Sequence, residues 1–274
     1  MKVIEISGPQ DPAAAPYFKL TEAELKRAGG EKRGLFIAES IPVIEAALES
    51  GYEPVSLLTE GRHLNAIEEK LGARLGETPV LTGAPGLLEE TAGYRLHRGV
   101  LAALRRRPLP AAEEVVSGAG RIAVLEGLID PTNVGAIMRS AAALGMDAVL
   151  VSHDCCDPLN RRAARVSMGA VFRIPWAVLP EGSGRDDADL LKKCGFTCAA
   201  AALTPNAVPI TSADLVSMER LAVLIGPEGP GLSADTVAAC DMSLVVPMAH
   251  GMDSLNAAAA AAVIFWEIAN GSGR

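Results

Sequence analysis

The pattern of apolar residues changes at about residue 120. Beyond that point, short continuous apolar segments alternate with segments in which apolar residues recur every three or four positions. Continuous apolar runs are typical of strands covered on both faces of a parallel sheet, and the alternation is typical of an α/β domain. The predicted strands are 122–125, 148–152, 171–178, 196–201, 221–225 and 242–247, and the predicted helices lie near 133–145, 158–168, 186–194, 211–217, 233–239 and 254–269.

The first part of the chain shows shorter helical and strand patterns and predicts a smaller α/β domain. Thr21 and Glu24 have the spacing of a capping box, so a helix is expected to begin there. Apolar residues at helical spacing predict a second helix over 41–48. The strands predicted in this part are 55–58, 79–81 and 99–104.

A segment without periodicity separates the two patterns. Residues 108–120 are rich in Pro, Ala, Gly and Glu, which is typical of a linker. We therefore expect an N-terminal domain over 1–107, a linker over 108–120 and a parallel-sheet domain over 121–274. The 274 residues, 49% of them hydrophobic and 21% charged, can form such cores and exclude a disordered or fibrous protein.

No segment predicts membrane insertion or export. The longest apolar run, 257–266, is far shorter than the roughly 20 residues that cross a bilayer, and six of its residues are alanine. The N-terminal residues lack the apolar segment of a signal peptide. We expect a cytoplasmic protein without a membrane partner.

The cysteines also favour a cytoplasmic protein. Their number, five, is odd, and the chain does not need disulfides to form a core, so reduced thiols are expected. Neither His153 with Cys155 and Cys156, nor Cys194 with Cys198, has the paired spacing of a structural zinc site. We therefore predict no metal.

The net charge of −8 argues against a nucleic-acid partner, but the charges are unevenly distributed. Between Arg95 and Arg107 there are five arginines and no acid. Such a cluster is either a solvated surface or an RNA contact. For the second case the expected RNA-binding residues are Arg105, Arg106 and Arg107.

Polar residues follow three predicted strands at their carboxyl ends, where open parallel sheets bind ligands. In the first segment, 125–145, Asn133 lies near the start of a helix and Arg139 is the only charged residue over 132–145. Arg139 lies off the apolar stripe of that helix. It is therefore either an ordinary surface arginine or one directed at an anionic group or a hydroxyl.

The second and third segments are rich in glycine and alanine. Segment 221–233 carries Glu228 in a loop whose G-x-x-G-x-G spacing matches neither the dinucleotide fingerprint nor a P-loop. It is either a plain turn or a rigid loop that presents its backbone to a cofactor. In the third segment a helix is expected to begin at Ser254, with Asn256 in its first turn followed by six alanines.

Together the three segments resemble one known family. The N-x-G-x-x-x-R of residues 133–139, the I-G-P-E-G-P-G-L of 225–232 and the V-P-M…S-L-N of 246–256 resemble, in this order, the motifs of the SpoU (TrmH-like) RNA ribose 2′-O-methyltransferases. Segment 165–175 resembles an intervening motif, and 34–40 and 98–102 resemble the family's N-terminal RNA-binding domain. The sequence departs from the family at His250, where many members have glycine.

This resemblance implies a fold and a cofactor. The fold would be a parallel-sheet SPOUT domain with a C-terminal trefoil knot, preceded by a smaller α/β RNA-binding domain. S-adenosylmethionine would be held in the knot, mainly by backbone groups. The family usually forms homodimers through the knot helices, so both subunits would contribute to each active site. The residues expected to hold the cofactor are Ile225, Gly226, Val246, Pro247 and Leu255.

The resemblance also implies methylation of a ribose 2′-hydroxyl in rRNA or tRNA, without a metal. Arg139 would orient the hydroxyl and stabilise the developing alkoxide, because a guanidinium stays protonated. Asn133 and Glu228 would hold Arg139 and the substrate in register, and Ser254 and Asn256 would order the last helix. The alternatives are a non-catalytic RNA-binding protein on the same scaffold, which would not need all five residues, and another nucleotide-dependent enzyme, which the missing phosphate motifs disfavour.

Overall fold

The computed structural model describes residues 1–28, 34–84 and 99–270. The chain divides into two compact units, which do not coincide with a single cut in the sequence. The first unit comprises Met1–Pro108 and Leu159–Arg173, and the second comprises Leu109–Pro158 and Ile174–Arg274.

The first unit contains a five-stranded sheet in the order β1-β4-β3-β5-β2. Strands β1, β4 and β3 are parallel, and β5 runs antiparallel to both of its neighbours. Its strands are β1 (Lys2–Glu5), β2 (Leu35–Glu39), β3 (Pro54–Glu60), β4 (Pro79–Gly83) and β5 (Val100–Arg105), and its helices are α1 (Ala15–Phe18), α2 (Glu22–Arg27), α3 (Ile41–Glu49), α4 (Leu64–Leu75) and α7 (Arg161–Val166).

Sequence patterns predicted most of the helices and strands of the first unit. The capping box is confirmed, since Thr21 Oγ1 accepts from the Glu24 amide at 3.3 Å and Glu24 Oε2 accepts from the Thr21 amide at 2.8 Å. The helix over 41–48 and the three strands of this part are also confirmed. The pattern did not predict β1, whose residues are exposed along its whole length at the sheet edge.

A buried carboxylate holds the distant segment Leu159–Arg173 in the first unit. Glu39, at the end of β2, has a side chain only 4% exposed. Its two oxygens accept from Arg161 Nε at 3.1 Å and from Arg165 Nη1 at 3.0 Å. A carboxylate so deeply buried is compatible with folding because both of its oxygens are paired with charged donors.

The apolar run predicted as one strand over 171–178 is two elements with different surroundings. Phe172, in a short 3-10 turn, packs against Phe36 and Tyr52 of the first unit, with ring centroids 5.6 and 5.2 Å apart. Only Trp176–Val178 forms a strand, in the sheet of the second unit. The prediction was wrong because periodicity reports that residues are buried, but not in which core.

The second unit contains a seven-stranded sheet in the order β10-β12-β9-β11-β6-β7-β8, and every pairing in it is parallel. The predicted parallel-sheet α/β architecture is therefore confirmed. Its strands are β6 (Arg121–Leu125), β7 (Ala148–Val151), β8 (Trp176–Val178), β9 (Thr197–Ala201), β10 (Val208–Pro209), β11 (Leu221–Ile225) and β12 (Met242–Val245), and its helices are α5 (Ala112–Val116), α6 (Pro131–Ala143), α8 (Gly184–Lys193), α9 (Ala234–Ala239) and α10 (Ala257–Asn270).

Two segments of the second unit differ from the prediction. Residues 211–217 form turns instead of a helix, since Asp214 Oδ1 accepts from the Ser217 amide at 3.3 Å and so competes with helical hydrogen bonds. The supposed linker, 108–120, contains α5, and Ala112, Val116 and Ala119 are part of the buried core. Most of that segment therefore belongs to the second unit.

The last helix completes the second unit by packing along α6. Its buried side chains include Ala261, Ile264 and Phe265, and the alanines allow the two helix backbones to approach closely. Within the described residues, no helix combines the length and the apolar character needed to cross a membrane.

One carboxyl group of the second unit is buried close to another carboxylate. Asp187, on α8, is only 6% exposed. Burial, reinforced by the neighbouring carboxylate of Glu126, raises its pKa from 3.8 to about 6. Because the folded protein then binds this proton more tightly than the unfolded chain, Asp187 lowers the free energy of unfolding as the pH rises from about 4 to above 6.

Asp187→Asn is therefore expected to stabilise the protein at pH 8, by on the order of 1 kcal/mol, and to have little effect at pH 4. Thermal unfolding at several pH values measures this difference. The matched control is Asp186→Asn on the same helix, where hydrogen bonds from Ser183 hold the pKa below its usual range. That control should destabilise at neutral pH and lose its effect in acid. A pH-independent Tm shift for Asp187→Asn would contradict the assignment.

Candidate functional site

The three polar segments lie at one edge of the second unit's sheet. Strands β6 and β11 are direct neighbours, and β9 alone separates β11 from β12. Because all these strands are parallel, the loops that follow β6, β11 and β12 emerge at the same carboxyl edge. The sheet topology thus confirms that the chain brings these loops to one edge.

A pocket of about 420 Å³ lies at this edge, between the segments that follow β9, β11 and β12. Its wall includes every residue of the glycine-rich loop from Gly226 to Leu232, together with residues that follow β9 and β12 and three residues of α10. The wall consists of backbone and of apolar side chains such as Ile225, Leu244 and Ile264, with few polar side chains, among them Glu228 and Ser254. Such a wall suits a small molecule that has both an apolar and a polar part.

The shape of the glycine-rich loop requires glycine at its first position. A Cβ atom on Gly226 would lie 2.5 Å from the Leu232 amide nitrogen and 2.6 Å from the Gly231 carbonyl carbon. The two ends of the loop are therefore in contact through their backbones. Gly229 and Gly231 have φ values of +86° and +69°, which side chains disfavour. The loop is thus a closed, specific structure and not a plain turn.

Three of the predicted catalytic residues form one hydrogen-bonded cluster. Asn133 Nδ2 donates to Glu228 Oε1 at 2.9 Å, and Asn256 Nδ2 donates to Asn133 Oδ1 at 3.0 Å. Asn256 Nδ2 also makes a short contact with Glu228 Oε1. The same oxygen accepts from the Ala257 amide at 3.4 Å. One residue from each of the three loops is thereby fixed relative to the other two.

Asn256 is also the cap of the last helix, which corrects the expected helix start at Ser254. The helix begins at Ala257, and Asn256 Oδ1 accepts from the amides of Ala258 and Ala259 at 3.0 and 3.2 Å. An asparagine is favoured at this position because its side-chain oxygen satisfies free amides. Similarly, Asp130 caps α6, so Asn133 is released for the cluster.

The other two predicted catalytic residues lie outside the cluster. Ser254 is exposed and lines the pocket. Arg139 is exposed on α6, six residues beyond Asn133, so it points away from the face that carries Asn133. Among the described residues, Arg139 has no hydrogen bond and no ion pair. The single chain therefore does not bring Arg139 to the other four residues.

The predicted RNA-binding arginines lie at the end of β5 and just beyond it, and the fold already uses two of them. Arg106 Nε donates to the Leu35 carbonyl at 3.0 Å, and the Arg107 guanidinium lies over the Tyr52 ring, 4.7 Å from its centroid. The side chain of Arg105 makes a long ion pair with Glu53, at 3.9 Å. The other two arginines of this cluster, Arg95 and Arg98, lie outside the described residues.

Comparison with known proteins identifies the family. The model of the SpoU rRNA Methylase family matches residues 120–266. An uncharacterised tRNA/rRNA methyltransferase of Mycobacterium bovis is 38% identical over 268 residues, which are 97% of this chain and 92% of that protein. The chain belongs to the SpoU methylase family. The 23S rRNA (guanosine-2′-O-)-methyltransferase RlmB of Acinetobacter baylyi is 29% identical over 66% of this chain and 73% of its own length.

Solved structures of RNA methyltransferases show the same fold. The AdoMet-bound rRNA methyltransferase of Sinorhizobium meliloti superimposes with a TM-score of 0.78 at 24% identity, over 97% of each chain. An RNA 2′-O ribose methyltransferase superimposes with a TM-score of 0.75 at 26% identity, over 97% of this chain and 98% of the other. The SPOUT fold class is therefore confirmed, and the trefoil knot stays a prediction.

S-adenosylmethionine is the cofactor of this SpoU methyltransferase, and the pocket fits it. Four of the five residues expected to hold it line the pocket, namely Ile225, Gly226, Val246 and Leu255. Three of the seven residues of the loop 226–232 are glycines, so much of its contribution to the pocket wall is backbone. That arrangement agrees with a ligand held mainly by main-chain hydrogen bonds. The assignment of these four residues as cofactor ligands stays a prediction.

Two residues after β12, Pro247 and His250, bear on the predicted cofactor site. Pro247 is exposed and is absent from the described pocket wall, although Val246 and Met248 on either side belong to it. A proline has no amide to donate, which agrees with a role in shaping the loop. His250 has a φ of +57°, in the left-handed region that glycine favours. The loop therefore keeps the path typical of glycine despite the different residue.

Sequence reasoning missed one polar residue beside the pocket loop. Glu126 directly follows β6, and its carboxylate accepts from the Ser233 amide at 3.1 Å and from Thr236 Oγ1 at 2.7 Å. The only signal for it was its position at the carboxyl end of a buried parallel strand. Within the described residues, no group of three or more His, Cys, Asp or Glu side chains could hold a metal ion.

Gly226→Ala is expected to reduce the affinity for S-adenosylmethionine by at least about 100-fold, because the added methyl group cannot share its position with the backbone of Leu232. Isothermal titration calorimetry measures the affinity. The matched control is Gly118→Ala, where the new methyl group meets no atom within 4 Å. A Gly226→Ala protein that is folded and binds as tightly as wild type would contradict the close approach.

Proposed function

We propose that this SpoU methyltransferase methylates the 2′-hydroxyl of a ribose in rRNA or tRNA. The observation that carries the proposal is the cluster of Asn133, Glu228 and Asn256 directly beside a cofactor-sized pocket. These residues occupy the motif positions on which the family resemblance rests. The proposal is supported by the relative from Acinetobacter baylyi, which is named as a guanosine 2′-O-methyltransferase of 23S rRNA. An enzyme of rRNA or tRNA is expected in the cytoplasm.

The chain's residues have to orient the hydroxyl and stabilise the alkoxide that forms as its proton leaves to solvent. When bound, S-adenosylmethionine supplies a methyl group already activated by a sulfonium. The protein gains most by holding the 2′-oxygen in line with that group. The planar guanidinium group of Arg139 suits stabilisation of the developing alkoxide. Glu228 is occupied by Asn133 and Asn256, so we assign it to holding the loops rather than to taking the proton.

A homodimer that packs through the knot helices would explain why Arg139 lies apart from the other predicted catalytic residues of its own chain. The last helix exposes Trp266 to 58% and Val263 to 39%, which leaves an apolar surface on this helix. A second subunit on this surface would remove it from water. Each active site would then take residues from both subunits, which would give Arg139 a substrate or a partner that the single chain does not supply.

Arg139→Ala is expected to lower kcat by about 10²–10³-fold while leaving the affinity for S-adenosylmethionine unchanged. Labelled methyl transfer to unmodified rRNA and tRNA transcripts, followed by mass analysis of nucleosides, measures both the rate and the product. Arg139→Lys is the matched control, since it keeps the charge but loses the planar donor set.

The product decides between the candidate functions. A 2′-O-methylnucleoside that depends on Arg139 supports the proposal, and a methylated base contradicts ribose specificity. RNA binding without transfer to any rRNA or tRNA would favour the non-catalytic RNA-binding protein.

We also propose that the first unit contacts RNA through Arg105. Replacing all three arginines would remove the packing contacts of Arg106 and Arg107, so Arg105→Gln is the cleaner variant. It is expected to weaken RNA binding several-fold and to lower the slope of log affinity against log salt by about 1. Arg74→Gln, which also breaks a surface ion pair, is the control. Equal RNA affinity of both variants and wild type would contradict the proposal.

A further inference from the structure

Glu126 contacts both ends of the glycine-rich pocket loop. Its backbone amide donates to the Ile225 carbonyl at 3.0 Å, where the loop begins. Its carboxylate accepts from the Ser233 amide at 3.1 Å, where the loop ends. Residues 226–232 between these two points all line the pocket. One residue therefore bridges the start and the end of the segment that forms the pocket wall.

The far end of the loop depends on the side chain of Glu126. The second carboxylate oxygen accepts from Thr236 Oγ1 at 2.7 Å, and Thr236 is fully buried. Ser233 Oγ in turn lies 2.7 Å from Thr236 Oγ1 and accepts from the Thr236 amide at 3.1 Å. The negative charge also lies at the amino-terminal end of α9, which a carboxylate stabilises. The start of this helix is thereby fixed to the end of β6.

The surroundings leave no room for this contact to change. A Cβ atom on Gly184 would lie 1.9 Å from Thr236 Oγ1 and 2.3 Å from Glu126 Oε2. The backbone at the start of α8 therefore covers the hydrogen bond between Glu126 and Thr236. A hydrogen bond partly shielded from water is electrostatically stronger than one in water.

We propose that Glu126 is a positioning residue for the cofactor pocket: it fixes both ends of the loop 226–232 and so preorganises the backbone that receives S-adenosylmethionine. Glu126 does not line the pocket and acts through the loop. A ligand held mainly by backbone groups depends on their geometry before binding, because ordering a loop reduces the affinity. The inference rests on the cofactor assignment and not on the identity of the methylated RNA.

The full-length protein and its Glu126→Ala variant test this with two measurements. Calorimetry gives the affinity for S-adenosylmethionine, and amide hydrogen exchange without the cofactor reports the order of residues 226–233. We expect Glu126→Ala to bind at least tenfold more weakly and to exchange faster in this segment. Glu126→Gln should lose less, because its amide can still accept from Ser233 and donate to the Thr236 hydroxyl.

Asp147→Ala is the matched control. Asp147 also accepts two backbone amides, those of Gly120 and Arg121, each at 2.8 Å, but at the opposite end of β6. The Asp147→Ala variant should have a lower Tm and an unchanged affinity for S-adenosylmethionine. A merely structural role of Glu126 would give the same result for both variants.

Two results would overturn the inference. The first is Glu126→Ala with wild-type affinity and unchanged exchange in 226–233. If that variant does not fold, Thr236→Val, which removes one donor at nearly constant volume, takes its place. Unchanged affinity in both Thr236→Val and Glu126→Gln would then overturn it. A wild-type protein that does not bind S-adenosylmethionine contradicts the cofactor assignment itself, a result distinguishable from a defect confined to the variants.

Discussion

One carboxylate oxygen holds the candidate active site together. Glu228 Oε1 receives the side-chain amides of Asn133 and Asn256 and, more distantly, the backbone amide of Ala257. Its donors come from the starts of two helices that pack against each other, and Glu228 itself lies in the pocket loop. Without this acceptor the two asparagine amides would lose the partner that they share. The three segments that carry these residues would then no longer be linked by hydrogen bonds to one atom. The pocket wall and the start of the last helix both depend on it.

The sequence predicted the secondary structure and the sheet better than the division into units or the position of Arg139. The parallel sheet, most helices and the grouping of the three loops followed from apolar patterns, because these report burial directly. The division into units did not, because Val171 and Phe172 belong to one core and Trp176 to the other. The separation of Arg139 from the cluster was also not predicted, because the motif shows which residues occur together in sequence but not which of them meet in the folded chain.

Beside the pocket, a carboxylate that fixes the binding loop also lies close to a second, buried carboxyl group. The carboxylate of Glu126 fixes the loop, yet the same charge raises the pKa of the buried Asp187. A neutral residue at either position would relieve this repulsion. Proteins commonly retain such unfavourable arrangements where a functional geometry requires them. The carboxyl edge of the sheet is thus shaped by its ligand as well as by packing.

The segment Leu159–Arg173 has a consequence for how this protein can be divided or recombined. It lies inside the range matched by the family model, yet it folds with the first unit. A fragment starting at Leu109 would carry Phe172 without its aromatic partners and two arginines without Glu39. Exchange of N-terminal domains between relatives therefore has to transfer this segment as well.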